Sequence, residues 1–320
     1  MDIRTLQQAF NAVFHNKETF SDFHSIEPSE HVTEFTVRGR AVVSTSKKFR
    51  SYLRFIDKVV LRHLAINDEV VHSYLRNKSV LTAASAHAGN RAFFLTDIES
   101  FFSRITRNDV VRILSRDAHA MPIRDIENYI PHIASLTTYQ AALPIGFPTS
   151  PQISNGFLYE FDNALHVRCK EQGLTYTRYA DDIIISAQCK DDVSQLRELV
   201  QAFLSRYASK QLVINAEKTR ITHIGNKVKI LGLIITPDGR VTIDSKHKRT
   251  LESLLHLYLT DTDKYQDLLG KVFEDKDKEH SLYGLLHYVK ATDPLYLQKL
   301  QRKYGVLAVR TLMENRWHAH

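Results

Sequence analysis

Apolar residues recur along the chain with two different spacings, which together predict a fold of both helices and strands. Residues 31–46 place apolar runs on either side of Gly39 and predict a β-hairpin. Apolar side chains at helical spacing predict helices in part of 1–30 and over 50–66, 107–116, 124–136, 152–171 and 191–207. Short apolar runs predict strands at 92–96, 229–235 and 241–243. From residue 245 the spacing is helical to the end, so Asp244 marks the best candidate subdomain boundary.

An acidic turn separates two further β-rich runs. Residues 174–179 and 183–186 are rich in Thr, Tyr and Ile, and the three residues between them are Ala180, Asp181 and Asp182. Two such runs joined by a tight turn predict a hairpin that carries carboxylates at its tip. With the helices, these strands give the middle of the chain an α/β pattern.

The composition narrows the class of protein. No apolar run reaches the roughly 20 residues that span a bilayer, and the N-terminal residues lack the basic start and apolar block of a secretory signal. Cys169 and Cys189 have no metal-ligand spacing and predict ordinary reduced thiols. These features predict a cytoplasmic protein without a membrane partner.

The net charge of +7 suits a polyanionic partner, and basic residues are concentrated in one segment. Between residues 38 and 62 the single acid is Asp57. The basic side chains there are Arg38, Arg40, Lys47, Lys48, Arg50, Arg54, Lys58 and Arg62. Two interpretations of the segment are open, a surface that faces phosphates or the solvated face of a helix.

Asp97, Asp181 and Asp182 are the candidate catalytic residues. In nucleotidyl transfer, two divalent ions about 4 Å apart stabilise the attacking and leaving oxygens, and Mg²⁺ prefers carboxylate ligands. A bare Asp-Asp pair is usually a solvated turn, but Asp181 and Asp182 stand between apolar strands. Asp97 ends a predicted buried strand, where it either binds metal or caps the following helix.

Four segments, in order, resemble the motifs of reverse transcriptases. Motif A is matched by residues 96–102 (TDIESFF), motif B by 143–151 (LPIGFPTSP) with Ser154 and Asn155, motif C by 179–182 (YADD) and motif D by 215–219 (NAEKT). Gly232 and the strand around it resemble the primer grip. The resemblance implies an α+β fold, that of a right-hand polymerase with fingers, a ferredoxin-like palm and a helical thumb.

The resemblance also implies roles for the motif residues. Asp97, Asp181 and Asp182 would bind two Mg²⁺ ions, with Mn²⁺ as a substitute, and the Ile98 carbonyl oxygen would help. The nucleotide-binding residues would be Phe102, Gly146, Pro148, Lys218, Lys48 and Arg50.

Two of these roles have an ordinary alternative. Phe102 would be the steric gate that rejects a ribose 2′-hydroxyl, although a bulky ring there also fits a core position. Lys218 would lie near the leaving pyrophosphate as its acid, although it also fits an ordinary exposed lysine.

Within the family, the sequence is most similar to bacterial retron reverse transcriptases. Residues 84–89 (ASAHAG) resemble the box before their motif A, 176–182 (YTRYADD) their motif C, and 283–288 with 303–305 the end of their thumb. The chain departs from their pattern at Ala83, Ile145 and Ile230–Leu231, where Asn, Gln and Val-Thr are usual. His87 in the box either organises structure or takes part in chemistry.

A retron enzyme would use deoxynucleoside triphosphates and a cognate non-coding RNA (msr-msd) to make msDNA, a branched RNA–DNA hybrid. It would act in antiphage defence with an effector protein. Its domains would be a helical extension (1–30), fingers and palm (31–244) and an RNA-binding helical thumb (245–320).

The RNA-binding residues of that thumb would be Lys246, Lys248, Arg249, Lys299, Arg302 and Lys303. Acids in the same region nearly balance them, so charge alone does not establish an RNA site. These acids include Asp261, Asp263, Asp275 and Asp277.

Two alternatives compete with the retron interpretation. One is another defence-associated or abortive-infection reverse transcriptase that uses a different primer or template. The other is an RNA-binding scaffold with a degenerate polymerase fold, which predicts the loss of at least one carboxylate, whereas all three are present.

Overall fold

The computed structural model describes residues 3–15, 17–37, 39–225, 227–273 and 278–314. Arg38 of the basic segment and the thumb acids Asp275 and Asp277 lie outside the described residues. Helices and strands both occur, so the predicted α+β class is confirmed. No helix in the described part of the chain is both long and apolar enough to cross a membrane.

The helices and strands are numbered in chain order. The α-helices are α1 (Leu6–Phe14), α2 (Phe20–Ser25), α3 (Lys47–Val59), α4 (Val80–Ala86), α5 (Arg107–Asp117), α6 (Ile130–Thr137), α7 (Ser150–Phe157), α8 (Tyr159–Glu171), α9 (Leu196–Tyr207), α10 (Ser245–Thr260), α11 (Thr262–Val272), α12 (Lys278–Thr292), α13 (Pro294–Tyr304) and α14 (Val306–Glu314). The strands are β1 (Val32–Val37), β2 (Arg40–Thr45), β3 (Ala92–Asp97), β4 (Thr175–Tyr179), β5 (Asp182–Ala187), β6 (Arg220–His223), β7 (Val228–Ile230), β8 (Leu233–Ile235) and β9 (Val241–Ile243).

The chain divides into two compact units. One contains Met1–Ser79 and Phe93–Ile221, and the other contains Val80–Ala92 and Thr222–His320. The division falls within β6. The boundaries expected at residues 30 and 244 separate a helical extension, the fingers and palm, and a thumb. They stay a prediction.

The N-terminal part of the first unit is an aromatic core beside a hairpin. Strands β1 and β2 pair antiparallel around Gly39, as the alternation predicts. The Phe10 ring of α1 lies 5.3 Å from Phe23 of α2 and 5.3 Å from Phe55 of α3. Helix α3 begins earlier than predicted because the Ser46 hydroxyl accepts a hydrogen bond from the Phe49 amide at 3.2 Å.

The central sheet of the first unit has the strand order β4-β5-β3-β6. Helices α5 to α8 lie between β3 and β4 in the chain, and α9 lies between β5 and β6. This connectivity and strand order are those of the ferredoxin-like βαββαβ motif, as the sequence resemblance implies for a palm. Every residue of β3 is buried, which explains its unbroken apolar sequence.

Three further helix predictions for the first unit have wrong limits. The single helix predicted over 152–171 is two helices, α7 and α8, because the backbone leaves the helical region at Leu158, with ψ at 7°. The break lets α7 pack against α5 while α8 packs against β4 and α9. Helices α6 and α9 start later than predicted, after the 3₁₀ turns Ile126–Tyr129 and Asp191–Val193.

The second unit combines a small sheet with helices. The strand predicted over 229–235 is wrong, because the chain folds back on itself there to form the β7–β8 hairpin. Its turn is made by Leu231 and Gly232, both with positive φ (51° and 85°), which is the backbone of a type I′ hairpin turn. Strand β9 completes the sheet, and α4 packs on β8 and β9. His87, just after α4, is fully buried.

Candidate active site

Asp97 lies at the end of β3 and is 6% exposed. Its Oδ2 accepts a hydrogen bond from the Lys218 ammonium at 2.8 Å. Its Oδ1 is buried and has no hydrogen-bond partner among the described residues. Asp97 caps no helix, since the next helical element is the 3₁₀ turn Phe102–Arg104. A buried carboxylate oxygen without a donor is unfavourable unless a cation binds it.

The tip of the β4–β5 hairpin places the other two carboxylates next to Asp97. Tyr179 pairs with Asp182, so Ala180 and Asp181 form the turn. Ala180 has φ at +55°, an unfavourable angle for a residue with a Cβ atom. The Asp181 carbonyl accepts a hydrogen bond from the Ile98 amide at 3.0 Å, which joins this turn to the end of β3. Asp181 and Asp182 are half-buried, unlike the residues of a solvated turn.

The electrostatics of this site favour a bound cation. Burial, reinforced by the negative charges of Asp181 and Asp97, raises the pKa of Asp182 to about 6. Burial likewise raises the pKa of Asp181. The hydrogen bond to Asp97 raises the pKa of Lys218, so its ammonium neutralises part of the negative charge.

The carboxylate oxygens are ligands of the type that a hard divalent ion prefers, but their present positions do not form a complete coordination site. In the described part of the chain, no three His, Cys, Asp or Glu side chains are grouped closely enough to hold a metal as they stand. The Lys218 ammonium already occupies one oxygen of Asp97. Two observations match Mg²⁺: the Asp97 Oδ1 has no hydrogen-bond partner in the described part of the chain, and the carboxylates repel one another.

A cleft of about 1040 Å³ opens over the site. Of the residues predicted from sequence, it is lined by Asp97, Ile98, Phe102, Gly146, Asp181 and Lys218. Asp182, Pro148, Lys48 and Arg50 are not among its lining residues. Lys48 instead pairs with Asp22 at 2.8 Å, and the Arg50 Nε donates to the Thr45 hydroxyl at 3.2 Å.

The cleft contains residues that the sequence analysis did not select. Arg40 of β2 lines it and carries a positive charge near Asp181. Arg40 belongs to the predicted basic segment, but only the hairpin register singles it out among its neighbours. Tyr74 and Gln140 also line the cleft, both with positive φ, and no sequence signal pointed to either.

Gly146 holds the motif B loop against the β1–β2 hairpin. Its φ is +121°, and a Cβ atom there would lie 2.0 Å from the Val43 carbonyl oxygen. The Val43 amide donates to the Ile145 carbonyl at 2.8 Å. Only glycine permits this approach, which brings the Arg40 hairpin to the cleft wall.

The predicted RNA-binding residues lie on α10 and α13 of the second unit. Lys246, Arg249, Lys299 and Arg302 are exposed. Lys248 and Lys303 have acidic partners, Asp293 at 3.3 Å and Glu252 at 2.7 Å.

Residues 36–235, more than half of the chain, match the family described as reverse transcriptase (RNA-dependent DNA polymerase). Retron Ec83 reverse transcriptase of Escherichia coli is 23% identical over 92% of this chain and 95% of its own length. Retron Ec86 reverse transcriptase of Escherichia coli is 25% identical over 84% of this chain and 78% of its own length. A solved telomerase of Candida albicans has a TM-score of 0.49 at 11% identity, covering 98% of this chain and 65% of that one.

Proposed function

The chain belongs to the reverse transcriptase family, and from this premise we propose that it is a retron enzyme, which makes the branched RNA–DNA hybrid msDNA from a cognate non-coding RNA. As a family member it is an RNA-directed DNA polymerase. The observation that carries the catalytic part of the proposal is the buried oxygen of Asp97 that no described residue hydrogen-bonds, beside the Asp181 and Asp182 turn.

In this proposal Asp97, Asp181 and Asp182 hold two Mg²⁺ ions, or Mn²⁺ in their place, and the Ile98 carbonyl oxygen contributes. The ions, when bound, stabilise charge on the attacking 3′-hydroxyl and on the leaving pyrophosphate. Lys218, whose ammonium pairs with Asp97, would leave that carboxylate once a cation was bound there. Freed in this way, Lys218 is available to protonate the leaving group.

The wall of the cleft selects and orients the deoxynucleoside triphosphate. Arg40 is exposed and lies near Asp181, so it provides a positive charge for the triphosphate. Phe102 lines the cleft, and in this proposal its ring excludes a ribose 2′-hydroxyl. The loop that contains Gly146 and Pro148 supports the incoming nucleotide in this proposal. Lys48 and Arg50, which lie outside the lining, are weaker candidates than Arg40.

The proposed RNA partner is a structured non-coding RNA (msr-msd) bound by the helices after residue 244. Exposed Lys246, Arg249, Lys299 and Arg302 supply its phosphate contacts. Lys248 and Lys303 would contribute to binding only by exchanging an acidic partner for a phosphate. We also propose that the product and an effector protein act in antiphage defence in the cytoplasm.

Expression of the chain with its native upstream locus tests the retron proposal. A branched, RNase-sensitive small DNA should appear with the wild type and be absent with Asp181→Ala/Asp182→Ala. If no branched DNA forms while the purified protein still extends a primer on RNA, the chain is a defence-associated reverse transcriptase of another class.

A further inference from the structure

Arg178 is a charged residue with no exposed surface, located two residues before the turn that carries the carboxylates. A guanidinium in such a place is unfavourable unless ion pairs and hydrogen bonds satisfy it fully. The polymerase mechanism proposed above assigns Arg178 no role. Its partners therefore indicate what keeps it there.

One side of the Arg178 guanidinium is neutralised by a buried acid. Its Nε and Nη2 donate to the two carboxylate oxygens of Asp162, on α8, at 2.8 Å and 2.6 Å. The Tyr176 hydroxyl donates to the same carboxylate at 2.7 Å. This bidentate pair fixes the plane of the guanidinium, because both members are fully buried and cannot rearrange around water.

The other side of the guanidinium reaches the catalytic turn. Nη1 donates to the Ala180 carbonyl oxygen at 2.9 Å and to Asn155 Oδ1 at 3.1 Å. The Ala180 carbonyl belongs to the peptide that leads into Asp181. The carbonyl of Asp181 in turn accepts from the Ile98 amide. The peptides before and after Asp181 are thus both held, one by Arg178 and one by the end of β3.

The hydrogen bond from Arg178 stabilises an unfavourable backbone conformation at Ala180. With φ at +55°, Ala180 adopts a conformation that alanine avoids, and such a conformation persists only when its surroundings impose it. The Arg178 guanidinium binds this peptide through its hydrogen bond to the Ala180 carbonyl. Asn155 braces the same nitrogen from α7, since its Nδ2 donates to the Ser73 carbonyl at 3.0 Å.

We propose that Arg178 is a positioning residue, which holds the Ala180–Asp181 peptide so that Asp181 and Asp182 present their carboxylates to the metal ions. Asp162 supplies the fixed anchor for this contact. The inference rests on the proposed function, because it assumes that these carboxylates bind divalent ions.

The variant that tests the role is Arg178→Met/Asp162→Asn, which removes both buried charges together and leaves no donor for the Ala180 carbonyl. Tyr176→Phe is the matched control, because it removes a hydrogen bond to Asp162 but leaves the contact between Arg178 and the turn. Arg178→Lys is a second variant should the double one not fold. It keeps a charge beside Asp162 but cannot span from Asp162 to the turn.

The first readout is Mn²⁺ affinity, measured from the electron paramagnetic resonance signal of free Mn²⁺. Only the binding that is lost in Asp181→Asn is assigned to the site. We expect the double variant to bind Mn²⁺ at least tenfold more weakly and Tyr176→Phe to stay within twofold of wild type. The second readout is the Mg²⁺ concentration for half-maximal primer extension, which should rise by 10- to 100-fold only in the Arg178 variants.

Equal Mn²⁺ affinity in a folded Arg178 variant and in Tyr176→Phe would overturn the inference, as would a wild type that binds no Mn²⁺ through Asp181. A wild type that binds Mn²⁺ but extends no primer contradicts the proposed function alone. The comparison of affinities then still decides the role of Arg178.

Discussion

At the scale of single residues, the site holds like charges together in a partly buried position. Burial and the neighbouring Asp181 and Asp97 raise the pKa of Asp182 to about 6. A carboxyl group with a raised pKa in the folded state favours folding while it is protonated and opposes folding once it is charged. The metal-free protein is therefore less stable above pH 6 than it would be without this acid.

Asp182→Asn should stabilise the protein in the presence of EDTA. The gain should be on the order of 1–2 kcal/mol above pH 7, after allowing for solvent screening, because the amide cannot become charged. It should fade as the pH falls through 6 and vanish below about 4, where the wild-type acid is protonated in both states. Thermal melts from pH 4 to 8 measure this, and a destabilised variant at pH 8 would contradict the assigned repulsion.

Lys218 is the residue whose chemistry is easiest to separate from its charge. Lys218→Arg keeps a cation beside Asp97, but a guanidinium does not release a proton at working pH. If Lys218 protonates the leaving pyrophosphate, the maximal extension rate should fall by roughly 10²-fold, with an unchanged melting temperature. Single-turnover extension at saturating Mg²⁺ measures that rate. If Lys218→Arg were fully active, Lys218 would contribute only its positive charge and would not donate a proton.

At the scale of elements, the sequence predicted the strands and hairpins that have a clear local pattern of apolar and polar residues. The β1–β2 hairpin, β3 and the β4–β5 hairpin were predicted because alternation or an apolar run ends there in a polar turn. The break at Leu158 was missed because apolar spacing continues across it while the packing partner changes. The turn at Leu231 was missed because it lies inside a continuous apolar run.

For the candidate site, the sequence predicted the three carboxylates but not the basic residue that lines the cleft. Asp97, Asp181 and Asp182 stand at strand ends, and their position there follows from the elements. Which basic residue reaches the cleft depends on hairpin register and on long-range packing. The sequence therefore favoured Lys48 and Arg50, whereas the structure brings Arg40 to the cleft.

The contact between the Gly146 loop and β2 gives a prediction at this scale. Gly146→Ala should displace the hairpin and lower both stability and affinity for the nucleotide, because its Cβ would meet the Val43 carbonyl at 2.0 Å. Gly173→Ala is the control, since Gly173 also has positive φ (67°) but no atom near a built Cβ. Gly173→Ala should lose about 1 kcal/mol of stability and keep its KM for the nucleotide.

Equal KM values for the nucleotide in the two alanine variants would contradict this assignment of Gly146. Melting temperatures of the same two proteins separate the loss of stability from the loss of binding. Gly173, at φ +67°, is close to the left-handed region that alanine can adopt at a modest cost, whereas Gly146, at φ +121°, lies outside that region and also meets β2.

At the scale of the whole molecule, the net charge of +7 predicts RNA binding that weakens with salt. Arg249→Ala/Arg302→Ala should reduce the slope of log affinity against log salt by about 2, because each phosphate contact contributes about one counterion. Lys271→Ala is the control, since Lys271 pairs with Asp267 at 2.6 Å. Filter binding to the transcript of the upstream locus at several salt concentrations gives the slopes. Parallel slopes for all three proteins would place the RNA elsewhere.

Primer extension on a defined RNA template tests the central claim most directly. The purified protein, supplied with deoxynucleoside triphosphates and Mg²⁺, should extend a DNA primer, while EDTA or Asp181→Ala/Asp182→Ala should abolish the product. Circular dichroism of the variant establishes that it is folded. A well-folded wild type that extends nothing on RNA, or a folded double variant that extends as well as the wild type, would contradict an RNA-directed DNA polymerase built on these carboxylates.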